Sequence, residues 1–284
     1  MLPYTIYDVF TDTPFAGNPL AIVMEADGLS TWQMQTIARE FNLSETLFIR
    51  TPKDLKNTAA VRIFFPTAEI PFAGHPTIGC AVHLAKTRKL THVILEEQAG
   101  LVPVTIEGKR AEFKAPIVPT AMDLDVAPEQ CAQMLGLTRS DVGPHMPGSF
   151  QGGPTFLYIP VRTEAALAKA QPREPYWSQV LGSKSDSAYL YTPNFNTRMF
   201  APGGGIPEDP ATGSAAAILA AQLLANDALS EGRTKLNLRQ GVAMGRPSEI
   251  CFSADTAGGA LKAVYISGSA VQIATGFIHP PKED

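Results

Sequence analysis

The sequence is poor in cysteine, in clustered histidine and in charge of either sign, and each shortage removes a class of protein. Its three cysteines, Cys80, Cys131 and Cys251, are odd in number, far apart and without any Cys-x-x-Cys spacing. That excludes a disulfide framework and a thiolate metal site, and suits a reducing compartment. The five histidines (75, 83, 92, 145 and 279) form no His-x-x-x-His or His-x-His pair, so no metal is expected. Charged residues make up 18% of the chain, 23 basic against 27 acidic, with no Lys/Arg run to follow a phosphate backbone. No apolar run reaches the roughly 18 residues of a membrane helix. Ala215 to Ala225 comes closest, and Gln222 interrupts it. Met1 to Tyr4 shows no basic segment followed by an apolar one, as a leader would. The expectation is a cytoplasmic protein with a small-molecule ligand, and neither a nucleic-acid nor a membrane partner.

What the chain does have is an echo of itself. Arg62-Ile63-Phe64-Phe65-Pro66, then Ile70-Pro71, then Gly74-His75-Pro76-Thr77-Ile78-Gly79-Cys80-Ala81 is answered by Arg198-Met199-Phe200-Ala201-Pro202, Ile206-Pro207, and Glu208-Asp209-Pro210-Ala211-Thr212-Gly213-Ser214-Ala215. The offset is 136 residues for the first block and 134 for the last, reconciled by one two-residue gap. Gln98-Ala99-Gly100 and Gln240-Gly241 keep a similar register. So, more weakly, do Ser44 to Phe48 and Asp186 to Leu190, which sets Ser187 opposite Glu45. Repetition at this period predicts two similar halves. The boundary is expected in the proline-interrupted stretch 115–127, with lobes 1–118 and 119–284 and the last strand free to cross back to the first lobe.

Alternating short runs dominate, among them Tyr4 to Val9, Ala60 to Phe65, His92 to Glu97, Ala188 to Thr192 and Thr234 to Leu238. Three helices stand out: Thr31 to Phe41 behind a Ser30/Gln33 capping box, the segment after His75, and the segment after Asp209. Ala215 to Leu224 has no polar face to offer water, so a sheet must wrap around it, and around Ile78 to Lys86 by repetition.

Both buried helices are expected to begin at a proline, Pro76 and Pro210, leaving His75 and Asp209 as caps. Asp is an ordinary cap; His is a poor one and points to function. Two helix N-termini together would cradle a carboxylate with unpaired amides and partial positive charge. Gly79 and Gly213 either keep those first turns clear for a ligand or serve close packing. Cys80 and Ser214 add a thiol and a hydroxyl. Glu45, at the mouth of an apolar strand, is unfavourable facing inward unless paired or protonated, which is the condition a general acid/base exploits. Gly203-Gly204-Gly205 lacks the Lys-Ser/Thr of a phosphate loop and reads as a turn, and Gly143 to Gly148 as a surface loop.

These motifs resemble the PhzF family of phenazine-biosynthesis isomerases, within the diaminopimelate-epimerase-like superfold. The matching segments are Asp8 to Thr11 with Phe15 to Pro19, Asn42 to Thr46, Gly74 to Thr77, Glu208 to Ala215, and Gln240-Gly241 with Met244 to Ser248, spanning nearly the whole chain in order. The resemblance implies an α+β fold of two pseudo-symmetric lobes, each a β-barrel-like sheet around a central helix, a homodimer, and no cofactor. It also implies a small carboxylic acid substrate like trans-2,3-dihydro-3-hydroxyanthranilate. Glu45 would move the proton along the carbon skeleton, with catalytic roles for His75 and Asp209. Gly74, Gly213, Ser214 and Cys80 would line the substrate, Cys80 departing from the smaller or hydroxylated residue expected there. Two rivals stand: a catalytically idle member that binds a small acid or a partner, and a racemase, for which the paired thiols are missing.

Overall fold

The computed structural model describes residues 1–182, 185 and 187–282. Asp186, which opens the weakest of the matched blocks, lies outside the described residues. The chain divides into two compact units, Met1–Pro116 with Ile266–Asp284, and Ile117–Tyr265.

In the first unit, the strands Leu2–Val9, Asn18–Val23, Glu45–Arg50, Ala59–Phe64, His92–Glu97, Gly100–Glu107 and Arg110–Lys114 lie side by side in that order, followed by Ala260–Ile278. Leu2–Val9 also pairs with that last strand, Leu2 opposite Ile278, which closes an eight-stranded barrel. Closure leaves no free strand edge within the ring. Inside runs the helix Gly74–Arg88, whose residues Gly74 to Ala85 are all buried. Packed against six of the barrel strands, it has no wet side, as the sequence required. Its exposed end carries Lys86 and Arg88, placed where the helix dipole favours cations. Along His92–Glu97 the period-two alternation turns Val93, Leu95 and Glu97 inward. The amphipathic helix Thr31–Phe41 packs outside, and its Ser30/Gln33 capping box forms as expected.

The second unit holds a six-stranded sheet in the order Ile206–Asp209, Thr197–Ala201, Ala188–Tyr191, Thr155–Pro160, Gly148–Gln151, Thr120–Ala121. The antiparallel hairpin Gly232–Gln240 and Ser248–Ala257 is joined to it by a parallel bridge from Arg239 to Asn196. The helix Gly213–Ala225 is buried in this unit. Tyr158 Oη donates to its Ala215 carbonyl at 2.7 Å. Gln222, the residue that interrupts the apolar run, is also fully buried, its amide donating to the Met146 carbonyl at 2.7 Å and the Tyr191 hydroxyl at 3.0 Å. Pro202–Gly204 forms a tight turn closed by Gly205 at φ +78°.

Two readings of the helices need correction. The first helix begins at Gly74 with Ala73 as its cap, so His75 and Pro76 lie inside the first turn. The second begins at Gly213 with Thr212 as its cap, and Asp209 ends the preceding strand. A proline is tolerated anywhere in the first turn, because none of those amides has an intrahelical acceptor, so Pro76 does not mark the start. The short helices Pro128–Met134, Glu164–Lys169 and Tyr176–Leu181 were also not expected. At six or seven residues they lack intrinsic stability and form by packing Cys131, Leu167 and Trp177 into a local core.

The two arginines of the echoed blocks perform the same task. Arg62 forms a two-pronged ion pair with Glu69 at 2.7 and 2.6 Å and lies over the Phe64 ring. Arg198 does so with Glu208 at 2.8 Å on both prongs, over Phe200. Gly79 serves close packing: a Cβ there would fall 2.6 Å from Leu20 Cδ2 and 2.8 Å from Val9 Cγ2. Gly79→Val is therefore expected to destabilise the protein by about 1–3 kcal/mol through overpacking. A urea midpoint within error of the parent's would contradict this.

Candidate active site

Glu45 opens its strand, opposite Leu20 of the parallel neighbour Asn18–Val23. Its side chain is 11% exposed and that of His75 3%, and His75 Nδ1 lies 3.0 Å from Glu45 Oε2. The geometry is that of a ring N–H donating to a carboxylate. Burial leaves both groups little water, so each is held by the other, His75 from the first turn of the helix. Gly74 and His75 are the first two residues of that helix, where backbone amides have no intrahelical partner. The structure thus brings together three of the residues singled out from sequence, Glu45, Gly74 and His75, in the first unit. Cys80 is in the same helix and fully buried, its thiol pushed well above the ordinary range by burial and by the nearby Glu97.

Asp209, Gly213 and Ser214 belong to the second unit. Asp209 is 6% exposed, and its Oδ2 accepts from Thr212 Oγ1 at 2.6 Å. Thr212 Oγ1 in turn accepts from Gln240 Nε2 at 2.9 Å, and the same amide donates to the Asp209 backbone carbonyl at 2.8 Å. Gln240 Oε1 accepts from the Thr212 backbone N–H and from the Tyr189 hydroxyl, each at 3.2 Å. Ser248 Oγ holds the next carbonyl, that of Pro210, at 2.8 Å. Every polar group between Asp209 and Thr212 that these bonds reach is fixed from the Gln240 to Ser248 hairpin. Gly241 must be glycine here: its φ is +74°, and a side chain would run into the carbonyls of Arg246 and Pro210.

Gln240 and Thr212 are the residues that sequence reasoning did not place in the site. The available signal was the Gln-Gly pair at a strand end, in register with Gln98-Ala99-Gly100 and within one of the segments that carry the family resemblance, where it has no site role of its own. Among the described residues no group of three or more His, Cys, Asp or Glu is arranged to hold a metal ion, and no helix is long and apolar enough to cross a membrane.

Comparison with known proteins agrees over nearly the whole chain. The family model described as phenazine biosynthesis-like protein, PhzC-PhzF, matches residues 7–276. An uncharacterized isomerase of Mesorhizobium japonicum is 39% identical over 96% of this chain and 97% of its own length. The trans-2,3-dihydro-3-hydroxyanthranilate isomerase of Pseudomonas chlororaphis is 34% identical over 97% of this chain and 98% of its own. The crystal structure of a Bacillus anthracis phenazine biosynthesis protein of the PhzF family superposes with a TM-score of 0.87 over 97% of this chain and 98% of that one. At 23% identity it speaks to fold alone.

Removing the Gln240 side chain strands several buried partners at once. Gln240→Leu is expected to cost about 2–4 kcal/mol, since each unsatisfied buried group costs roughly 1–3 kcal/mol and the losses overlap. Chemical denaturation reads the loss, and a change below about 1 kcal/mol would show that water replaces the amide.

Proposed function

Because the chain belongs to the phenazine biosynthesis-like family, we propose that it is a cofactor-independent isomerase. It would move a proton along the carbon skeleton of a small unsaturated carboxylic acid resembling trans-2,3-dihydro-3-hydroxyanthranilate, with Glu45 as the acid/base. The observation that carries this reading is the buried Glu45–His75 pair at 3.0 Å.

The chemistry is redox-neutral. Ionised Glu45 takes a proton from a carbon next to the unsaturation, the C–H electron pair shifts the double bond along the skeleton, and the same carboxyl returns its proton to the far carbon. One C–H bond breaks and one forms. A single carboxylate can do both because its substrate stays in place while the charge moves. His75 Nδ1–H steadies Glu45 when it is ionised and fixes the oxygen that faces the carbon. The amide at Gly74 is suited to hold the substrate carboxylate and to take up charge as it develops, and those at Gly213 and Ser214 in the second unit have the same anion-holding character. Asp209, oriented by Thr212 and Gln240, would steer a polar substituent. Full burial argues against a direct ligand contact for Cys80. It also counts against a racemase that would use this thiol as its base.

The test is incubation with dihydroaromatic acids in deuterated water. Label at carbon is expected with the parent protein. Glu45→Gln should lower the rate by about a thousandfold or more, and His75→Ala by about ten- to a hundredfold. Label that persists in Glu45→Gln would remove Glu45 from the mechanism. Absence of label with every acid would favour a member that binds without turnover.

A further inference from the structure

The residue Glu97 is the last of its strand, faces the barrel interior and touches the helix that carries His75. Its Oε1 lies 2.7 Å from Thr77 Oγ1, and Thr77 Oγ1 lies 2.7 Å from the carbonyl of Ala73, the helix cap. A hydroxyl has one proton to give. If Glu97 were ionised, Thr77 would have to spend that proton on the carboxylate, leaving two acceptor oxygens, Thr77 and Ala73, in contact without a hydrogen between them. If Glu97 is protonated, both short contacts are satisfied: Glu97 donates to Thr77, and Thr77 donates to Ala73.

The second unit contains the same chain of bonds with its direction fixed. There the last residue of a strand, Gln240, donates through Nε2 to Oγ1 of Thr212, the cap of the other buried helix, which donates to the Asp209 carboxylate at the end of the preceding strand. An amide N–H can only donate. The neutral carboxyl of Glu97 is its chemical counterpart, a strand-end donor to a threonine that passes the bond to the helix start.

We propose that Glu97 is a positioning residue that acts in its protonated form, holding Ala73 through Thr77 and so fixing the first turn that sets His75 against Glu45. Burial agrees with the geometry. The residue is 8% exposed, Oε2 has no hydrogen-bond partner, and no ion pair reaches it among the described residues. The carboxyl is accordingly pushed up to about 8 by desolvation, against which the Thr77 bond works. The ionisable groups on the elements packed against it are His75, Cys80, His83, Lys86 and Arg88 on the helix, Arg62 on Ala59–Phe64 and Glu107 on Gly100–Glu107. Arg62 is engaged with Glu69.

The sign of the pH effect follows. Between the ordinary value of 4.5 and about 8, the folded protein holds one proton more on Glu97 than the unfolded chain does. This contribution to stability is complete below 4.5, declines above it, and is gone once pH passes about 8. Above that pH the Ala73 bond is lost and the first turn loosens.

The experiment compares the parent with Glu97→Gln, which keeps the donor, and Glu97→Leu, which does not. Thermal stability across pH 5 to 9 should fall for the parent over the window just given and stay flat there for Glu97→Gln. Hydrogen exchange over residues 71–80 at pH 7 should match the parent in Glu97→Gln and be at least tenfold faster in Glu97→Leu. The same falling pH profile in Glu97→Gln, or unchanged exchange in Glu97→Leu, would overturn the proposal. Its catalytic part rests on the isomerase reading: the alkaline fall in kcat expected near pH 8 should vanish in Glu97→Gln, while Glu97→Leu loses at least tenfold in kcat with little change in KM. A parent without turnover would sink the isomerase reading and still leave the stability and exchange arms to decide the state of Glu97.

Discussion

A helix with no wet side cannot hydrate its own beginning. Its first four amides and any polar side chain among them must be met by protein, and every charged group brought near them stays only if it is paired or neutral. Both units face this constraint with the helices Gly74–Arg88 and Gly213–Ala225. Each answers it with a strand-end side chain, a threonine hydroxyl and an acceptor, the Ala73 carbonyl at the cap of one helix and the Asp209 carboxylate just ahead of the cap of the other. Of the candidate site residues, Gly74, His75, Gly213 and Ser214 sit on these starts, where the backbone is most strictly held.

The same constraint explains why Glu45 can be buried. A carboxylate out of water is costly unless hydrogen-bonded. The His75 ring supplies one bond, and the ring itself is held because the first turn beneath it is fixed. Precision at Glu45 is therefore inherited, from the Thr77 and Ala73 bonds to the helix and from the helix to the imidazole. A looser first turn would move the His75 ring, and with it the carboxylate, even though none of those supporting groups needs to touch a substrate.

Much of this architecture was legible because it follows from periodicity. The run Ala215 to Leu224, apolar except for Gln222, required enclosure, and the capping box at Ser30 located a helix start by its own chemistry. Glu45 and His75 stood out as the wrong residues for an apolar strand and a cap. The starts of the buried helices were misplaced because proline is equally comfortable at several first-turn positions, and the bonds that mark the true starts reach Thr77 from Glu97 and Thr212 from Gln240, far away in sequence. Gln240 and Glu97 escaped notice for a different reason. Each lies at a strand end, and its partner is a threonine 20 or more residues away, so nothing local marks it. The alternation of Val93, Leu95 and Glu97 did point Glu97 inward, and reading it strictly would have flagged a buried acid.

The difference between the two corners has its own logic. In the second unit the threonine hydroxyl ends on a carboxylate, Asp209, so its own donor must be a group that never carries negative charge. A glutamate in place of Gln240 would set two acids on one hydroxyl, and one of them would have to remain protonated beside the other. In the first unit the hydroxyl ends on a neutral carbonyl, Ala73, and an acid is tolerable so long as burial keeps its proton. The choice of Gln in one corner and Glu in the other thus follows from the charge of the group at the far end of each chain. It also leaves the first unit with a strand-end support that titrates, next to the Glu45–His75 pair to which the proposed function assigns the proton transfer.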